Sequence, residues 1–169
     1  MITAMAIGKF NEQEINAIIT SSRAFGASNL ILTQEKDKGI IDFCRKLNSK
    51  WGGNFHIEFT KDWMSEIKSR KMYKVVYLTQ FGIQISKRIN VIRTYRNLIL
   101  IVTKNDPNKE IMEVSDFNVS ITGQPHTCSA AISIFLHDFY QGRELALHFE
   151  NAKYKVVPQE RGFRIDKTV

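Results

Sequence analysis

This sequence predicts an α/β fold on a mostly parallel sheet, and three observations support it. Short β-rich runs alternate with helical ones along the chain. The only three prolines, at 107, 125 and 158, all fall between those runs. Several strand-like runs pass directly into polar loops. Alternation of this kind favours βα units, whose crossovers cover both faces of a parallel sheet. In such sheets ligands collect beyond the carboxyl ends of the strands. With 169 residues and no repeat, low-complexity stretch or Gly/Ser linker, the chain suits one domain with room for a real core.

The elements follow in order. Helical periodicity runs over Glu12–Phe25, where Gly26 can end the helix in a left-handed conformation and Phe25 would pin that end to the core. Arg23 lies in the last turn, where a cation offsets the helix dipole. Asn29–Thr33 (NLILT) reads as a strand. It is followed by a helix over Lys36–Trp51 with Ile41, Cys44 and Leu47 on one face. The strand FHIEFT at Phe55–Thr60 precedes a helix at Asp62–Arg70. Then come the strands YKVVYLT (Tyr73–Thr79) and NLILIVT (Asn97–Thr103), a helix at Lys109–Val114, and the strand FNVSI (Phe117–Ile121). The stretch TGQPHTCSAAISIFL, from Thr122, opens as a polar turn and becomes a nearly all-apolar helix. A plain connection needs only a turn residue and a cap. Gly123, Gln124, Pro125 and His126 ahead of the cap mark this loop as a site candidate.

Composition narrows the function. The chain is 43% hydrophobic and 24% charged, the balance of a globular protein, not of a disordered or membrane one. Its longest apolar run, Leu98–Val102, is too short to cross a bilayer, so no membrane association is expected. MITAMAIGKF has no charged segment followed by a long apolar one, and the two cysteines, Cys44 and Cys128, lack metal-ligand spacing. A reduced, cytoplasmic protein is the expectation. The net charge of +7 favours a polyanionic partner. Between Lys61 and Arg96 nine Lys/Arg face only Asp62 and Glu66, and nucleic acid suits that pattern better than a membrane surface.

No dinucleotide fingerprint, phosphate loop, nucleophile elbow or zinc-protease motif occurs. His56, His126, His137 and His148 are scattered and show no metal-ligand pattern; His137 reads as a half-buried core residue. Cys128 starts a helix, where the dipole would lower a thiol pKa, but without a His or Asn partner it reads as a structural thiol.

The segments SSRAFGASNLILT, KWGGNFHIEF, VVYLTQFGI, DFNVSITGQPHTCSAAISIFL and YKVVPQERGFRI resemble, in this order, the archaeal tRNA cytidine-56 2′-O-methyltransferase family of the SPOUT superfamily. The resemblance implies a SPOUT-type α/β knot, a mostly parallel sheet with a C-terminal trefoil knot. It also implies a homodimer, S-adenosylmethionine as methyl donor, and the TΨC loop of tRNA as substrate. On it, the cofactor pocket is built from three loops. Leu78 belongs to the first, and Thr103, Lys104, Asn105, Asp106 and Pro107 form the second. Ile121, Thr122, Gly123 and Gln124, continuing through Pro125, His126, Thr127 and Cys128, form the third.

Ribose methylation needs the 2′-OH aligned with the methyl sulfonium and an acceptor for its proton. Arg23 could position a phosphate or stabilise the developing alkoxide, and His126 could serve as base or cap the loop. The chain also departs from the family pattern. TKND stands where a GAEK-like stretch is usual, Thr122-Gly123 replaces Gly-Asn, Thr127-Cys128 replaces Ser-Glu, and GKFNEQE replaces a His-Arg-Pro…Arg-Asp stretch. These departures set up a second reading, a relative that binds tRNA without methylating it. The residue patterns alone leave a third, an unrelated α/β nucleotide-binding protein.

Overall fold

In the computed structural model, which describes residues 1–168, six strands form one sheet in the order β3-β2-β1-β5-β4-β6. They are β1 (Ile2–Ile7), β2 (Asn29–Leu32), β3 (His56–Phe59), β4 (Lys74–Gln84), β5 (Leu98–Thr103) and β6 (Phe117–Ser120). Every pairing in this sheet is parallel. The predicted strands and helices form, with ends displaced by a few residues. α1 (Glu12–Ala24) begins at a reciprocal cap in which Asn11 and Glu14 satisfy each other's backbone N–H. α2 (Lys38–Trp51) starts two residues later than its periodicity suggests, because the Asp37 side chain accepts from Ile40 N–H at 3.0 Å and closes the first turn. α3 (Trp63–Ser69), α5 (Lys109–Val114) and the apolar α6 (Cys128–Tyr140) follow the sequence reading closely.

Alternation along the strands splits the core into two layers. Ala4, Leu30, Leu100, Val76 and Leu78 point to one face, where Ile15, Ile18 and Ile19 of α1 and Ile132 and Phe135 of α6 cover them. Met5, Ile31, Val75, Tyr77 and Ile101 point to the other, under Trp63 and Ile67 of α3 and Ile111 of α5. Each fully buried Ile or Leu here contributes about 1.5–3 kcal/mol.

Several elements differ from the sequence reading. β1 carries no strand pattern in sequence, since Ala4-Met5-Ala6 lacks branched residues, yet it pairs with both β2 and β5. β4 runs on past Thr79 to Gln84 and rejoins β6 after an irregularity between Leu78 and Ile83. The return is possible because position 82 is glycine: a Cβ there would lie 2.5 Å from the backbone N of Val119. A one-turn 3-10 segment and the short α4 (Ile89–Ile92) then lead to β5. After α6, β7 (Tyr154–Val157) and β8 (Arg164–Lys167) form an antiparallel hairpin against α2. His137 is also placed differently from expectation: it faces outward, with Nδ1 2.6 Å from the buried Glu144 Oε1. No helix among the described residues is long and apolar enough to cross a membrane.

Candidate active site

Strand order reverses beside β1: the chain moves outward through β2 and β3, then crosses to β4 and β5 on the other side. Loops leaving the carboxyl ends of β1 and β5 therefore diverge, one toward α1 and one toward α5, and leave a crevice between them. Gly8 allows the two loops to approach. At φ +122° it takes a conformation disfavoured for side-chain-bearing residues, and a Cβ there would lie 2.7 Å from the Cβ of Lys104.

A cavity of about 550 Å³ opens in that crevice. Phe10, just before α1, and Gln13, Glu14, Ala17 and Ile18 of α1 form one wall; Gln80 comes from the irregular part of β4, and Thr103, Lys104 and Asp106 from the end of β5 and the loop after it; His126 to Ser129 close the third side. It is continuous with a small recess of about 50 Å³ lined by Leu78, Val102 and Ala131. That volume lies in the range of small-molecule sites, and an apolar recess beside charged groups is the usual composition of one.

Asp106 ties the loop after β5 to β4. It accepts from Tyr77 Oη at 2.6 Å and from Gln80 N–H at 2.9 Å. Tyr77 Oη also lies 2.9 Å from Thr103 Oγ1, and the Thr103 carbonyl accepts from Cys128 Sγ at 3.4 Å, which ties in the third loop. Burial, and secondarily the Asp106 carboxylate, push the Tyr77 phenol up to about 12. Burial also pushes the Cys128 thiol up to about 11, with the Glu14 carboxylate adding to it. The expected dipole effect on Cys128 is thus outweighed by desolvation. At the mouth, Lys104 pairs with Glu14 and sits 5.9 Å from the Phe10 ring centre. The hydrogen bond from Lys104 holds the Glu14 carboxyl below its ordinary range, with the Asn11 backbone bond second.

The structure brings together Leu78, Thr103, Lys104, Asp106, His126, Thr127 and Cys128. It does not bring the rest of the candidates to the cavity wall. Asn105 turns its carbonyl to Thr103 Oγ1 at 3.0 Å, and Pro107 follows Asp106 through a cis bond. Ile121 packs on the core, whereas Thr122, Gly123, Gln124 and Pro125 are exposed on the rim. His126 Nδ1 lies 2.8 Å from the Gln124 carbonyl.

Arg23 is displaced furthest from its expected role. It is buried at the opposite end of α1, where Nε donates to Asn48 Oδ1 at 3.2 Å and a terminal nitrogen donates to the Gly52 carbonyl. Its guanidinium also lies 4.4 Å from the Phe149 ring centre. Two helix C-termini, those of α1 and α2, converge on this cation, and their dipoles offset its charge. The residues that sequence reasoning passed over are those of the α1 wall and Gln80. Their one available signal was the Asn11-x-x-Glu14 capping pattern, which places a helix start just where β1 ends.

The family model for tRNA ribose 2′-O-methyltransferase, aTrm56, matches residues 51–166. The chain belongs to this family. Among curated relatives named tRNA (cytidine(56)-2′-O)-methyltransferase, the protein of Staphylothermus marinus is 40% identical over 150 residues, 86% of this chain and 80% of the relative. That of Thermococcus kodakarensis is 33% identical over 175 residues, covering 98% and 96%. Solved structures agree in fold at low identity. The TrmH/SpoU tRNA modifying enzyme of A. aeolicus superposes with a TM-score of 0.62 at 17% identity, covering 86% of this chain and 76% of that one. AviRb of Streptomyces viridochromogenes, a SpoU methyltransferase in complex with the cofactor AdoMet, gives 0.62 at 16% identity; the match covers 85% of this chain and 57% of that protein's length. The fold is therefore that of the SPOUT methyltransferases.

Proposed function

We propose that this protein methylates the ribose 2′-oxygen of cytidine 56 in tRNA, with S-adenosylmethionine as donor. The observation that carries the reading is the convergence of three carboxyl-end loops, clamped by Asp106, around one cavity in a chain of the aTrm56 family. The residues present fit the donor. The main cavity has room for the donor, the recess at Leu78, Val102 and Ala131 adds an apolar edge to it, and Glu14, Lys104 and Asp106 suit a ligand bearing both charges. Bound there, the donor supplies an electrophilic methyl group on a sulfonium.

The chain's own residues supply the remainder. The cavity walls hold the reacting geometry, which is most of what such a transfer requires. A carbonyl only accepts, so His126 Nδ1, set against the Gln124 carbonyl, carries a proton, and it is the neutral form of the ring that offers a lone pair at Nε2. We assign His126 the role of acceptor for the 2′-OH proton as the O–CH₃ bond forms and the S–CH₃ bond breaks. Arg23, buried and hydrogen-bonded to Asn48 and Gly52 at the far end of α1, is assigned a structural role. The trefoil knot, the homodimer and a cytoplasmic location belong to this proposal as the family's arrangement.

The test is incubation with labelled S-adenosylmethionine and an unmodified tRNA transcript, followed by nuclease mapping and mass spectrometry. One methyl on the ribose of position 56 is the expected result. Label on another nucleotide, or on a base, overturns the assignment.

A further inference from the structure

The cavity accounts for the methyl donor and the reacting ribose. It leaves unused a second concavity at the other end of the molecule, of about 490 Å³, between the last two turns of α2 and the start of the β7–β8 hairpin. Its lining is Arg45, Lys46, Ser49, Lys50, Lys153 and Tyr154: four cations, a hydroxyl and a phenol, with no carboxylate. Arg45 is engaged by Asp42 at 2.7 Å, in a solvent-exposed pair that is screened and weak. Lys46, Lys50 and Lys153 have no ion-pair partner among the described residues.

A solvated basic helix face would explain some of this, and Lys50 in the last turn of α2 also offsets the helix dipole. Neither accounts for the concavity or for its aromatic edge. Trp51 and Tyr154 pack with ring centres 6.5 Å apart, and Lys50 Nζ sits 5.1 Å from the first and 5.9 Å from the second. That packing fixes where the hairpin meets α2, and so brings Lys153, distant in sequence, beside Lys46 and Lys50. Lys46 and Lys50 are one turn apart on α2, about 6 Å along the axis. The result is a row of cations with a half-exposed ring beside it, the combination that tracks a sugar–phosphate backbone and stacks on an adjacent base.

Resting on the tRNA reading above, we infer that the groove between α2 and the β7–β8 hairpin is a second RNA-binding surface, which holds the phosphate backbone of the tRNA away from the methylated nucleotide. α2 runs back from the carboxyl end of β2 to the start of β3, so the groove lies at the amino end of the sheet. A six-residue strand such as β5 separates it from the cavity by about 20 Å. An RNA contacted at both places is thus held over a length well beyond one nucleotide, and the groove contributes affinity without touching the reacting atoms.

The test is the exposed triple variant Lys46→Gln, Lys50→Gln, Lys153→Gln, with the corresponding triple Lys→Arg variant as control. Binding of an unmodified tRNA transcript is measured across a range of salt concentrations, without cofactor. Each lost phosphate contact lowers the slope of log affinity against log salt by about 0.7–0.9, so the Gln variant should fall by about 2 and the Arg variant should match wild type. In turnover the Gln variant should show KM for tRNA raised about tenfold or more with kcat and cofactor affinity unchanged, the pattern of lost uniform binding. An unchanged slope and KM overturn the inference. So does capture by phosphatidylserine vesicles that is lost in the Gln variant while tRNA binding is not. Should wild type bind tRNA but transfer no methyl group, the function proposed above fails, and the salt slopes still decide the groove.

Discussion

Tyr77 donates to Asp106 at 2.6 Å from the middle of the sheet, so a residue of the buried layer positions a loop at the cavity. The same carboxylate accepts from Gln80 N–H, which makes Asp106 the link between β4 and the loop after β5. Asp106→Ala leaves a buried phenol and a backbone N–H to find other partners. Unmade bonds of this kind cost about 1–3 kcal/mol. We expect a fall in stability of that order and cofactor affinity reduced about tenfold, read by thermal unfolding and calorimetry. Unchanged affinity would remove Asp106 from the binding geometry.

Tyr77 also has an alkaline signature. Its folded pKa is raised from 10.0 to about 12, so the native state keeps the proton after the unfolded chain has lost it. The stabilisation is complete below pH 10 and is lost as pH rises from about 10 to 12. Tyr77→Phe removes that titration. The stability difference between wild type and Tyr77→Phe should therefore change across that window and stay flat from pH 7 to 9, as read from denaturant midpoints. A flat difference up to pH 12 contradicts the burial argument.

Arg23 tests whether a helix-end cation here is structural. The guanidinium holds Asn48 and Gly52 and faces the Phe149 ring. Lysine keeps the charge but loses the planar fork. Arg23→Lys is expected to cost about 2 kcal/mol of stability, the range for hydrogen bonds to a charged group. Methyl transfer per folded molecule should stay near wild type. A large loss of transfer with intact stability would return Arg23 to the reaction, by way of a second protomer.

Most of the sheet was legible because branched residues cluster in β2, β4, β5 and β6, and the three loops were legible because they follow those strands. β1 was not, since Ala4-Met5-Ala6 is strand only through its neighbours on both sides. The α1 wall was equally silent: Gln13, Glu14 and Ala17 look like any exposed helix face until β1 fixes where α1 begins. Arg23 was ambiguous for a physical reason, because an Arg closing a helix looks the same whether it meets a phosphate or a carbonyl. The hairpin escaped notice because Val156 and Ile165 face solvent on it and leave no buried pattern.

Cys128 lines the cavity, yet it should behave as an inert thiol. Its pKa of about 11 against an ordinary 9.0 leaves about a hundredfold less thiolate near pH 8. Native alkylation by iodoacetamide should be slower than that of a free thiol by about that factor. Cys44, buried in the core with its thiol donating to the Phe55 carbonyl at 3.3 Å, is out of the reagent's reach in the native state and should be slower still. Both should react fully in urea. Rapid native labelling of Cys128 would mean that the third loop opens in solution.

His126 is the assigned proton acceptor, and His126→Ala should separate chemistry from binding. General-base groups contribute about 10²–10⁴-fold, so kcat should drop by at least a hundredfold. Cofactor affinity and the KM for tRNA should change far less than kcat, since the ring's hydrogen bond in the free protein goes to the rim carbonyl of Gln124 and leaves the rest of the cavity wall in place. A loss confined to cofactor affinity would make His126 a loop cap instead.

Gly123 separates the rim of the site from its scaffold. A Cβ at this position would meet nothing within 4 Å, and φ there lies outside the left-handed range, so valine introduces neither clash nor backbone strain in the free protein. Gly123→Val should therefore unfold at the wild-type temperature within about a degree, as surface changes away from special features usually do. Only a ligand lying against this backbone can meet the added methyl groups. If the third loop cradles the methyl donor, calorimetry should show affinity for S-adenosylmethionine reduced about tenfold or more at unchanged stability. Wild-type affinity in a stable Gly123→Val variant would move the donor off the rim and onto the wall formed by α1 and the β5 loop.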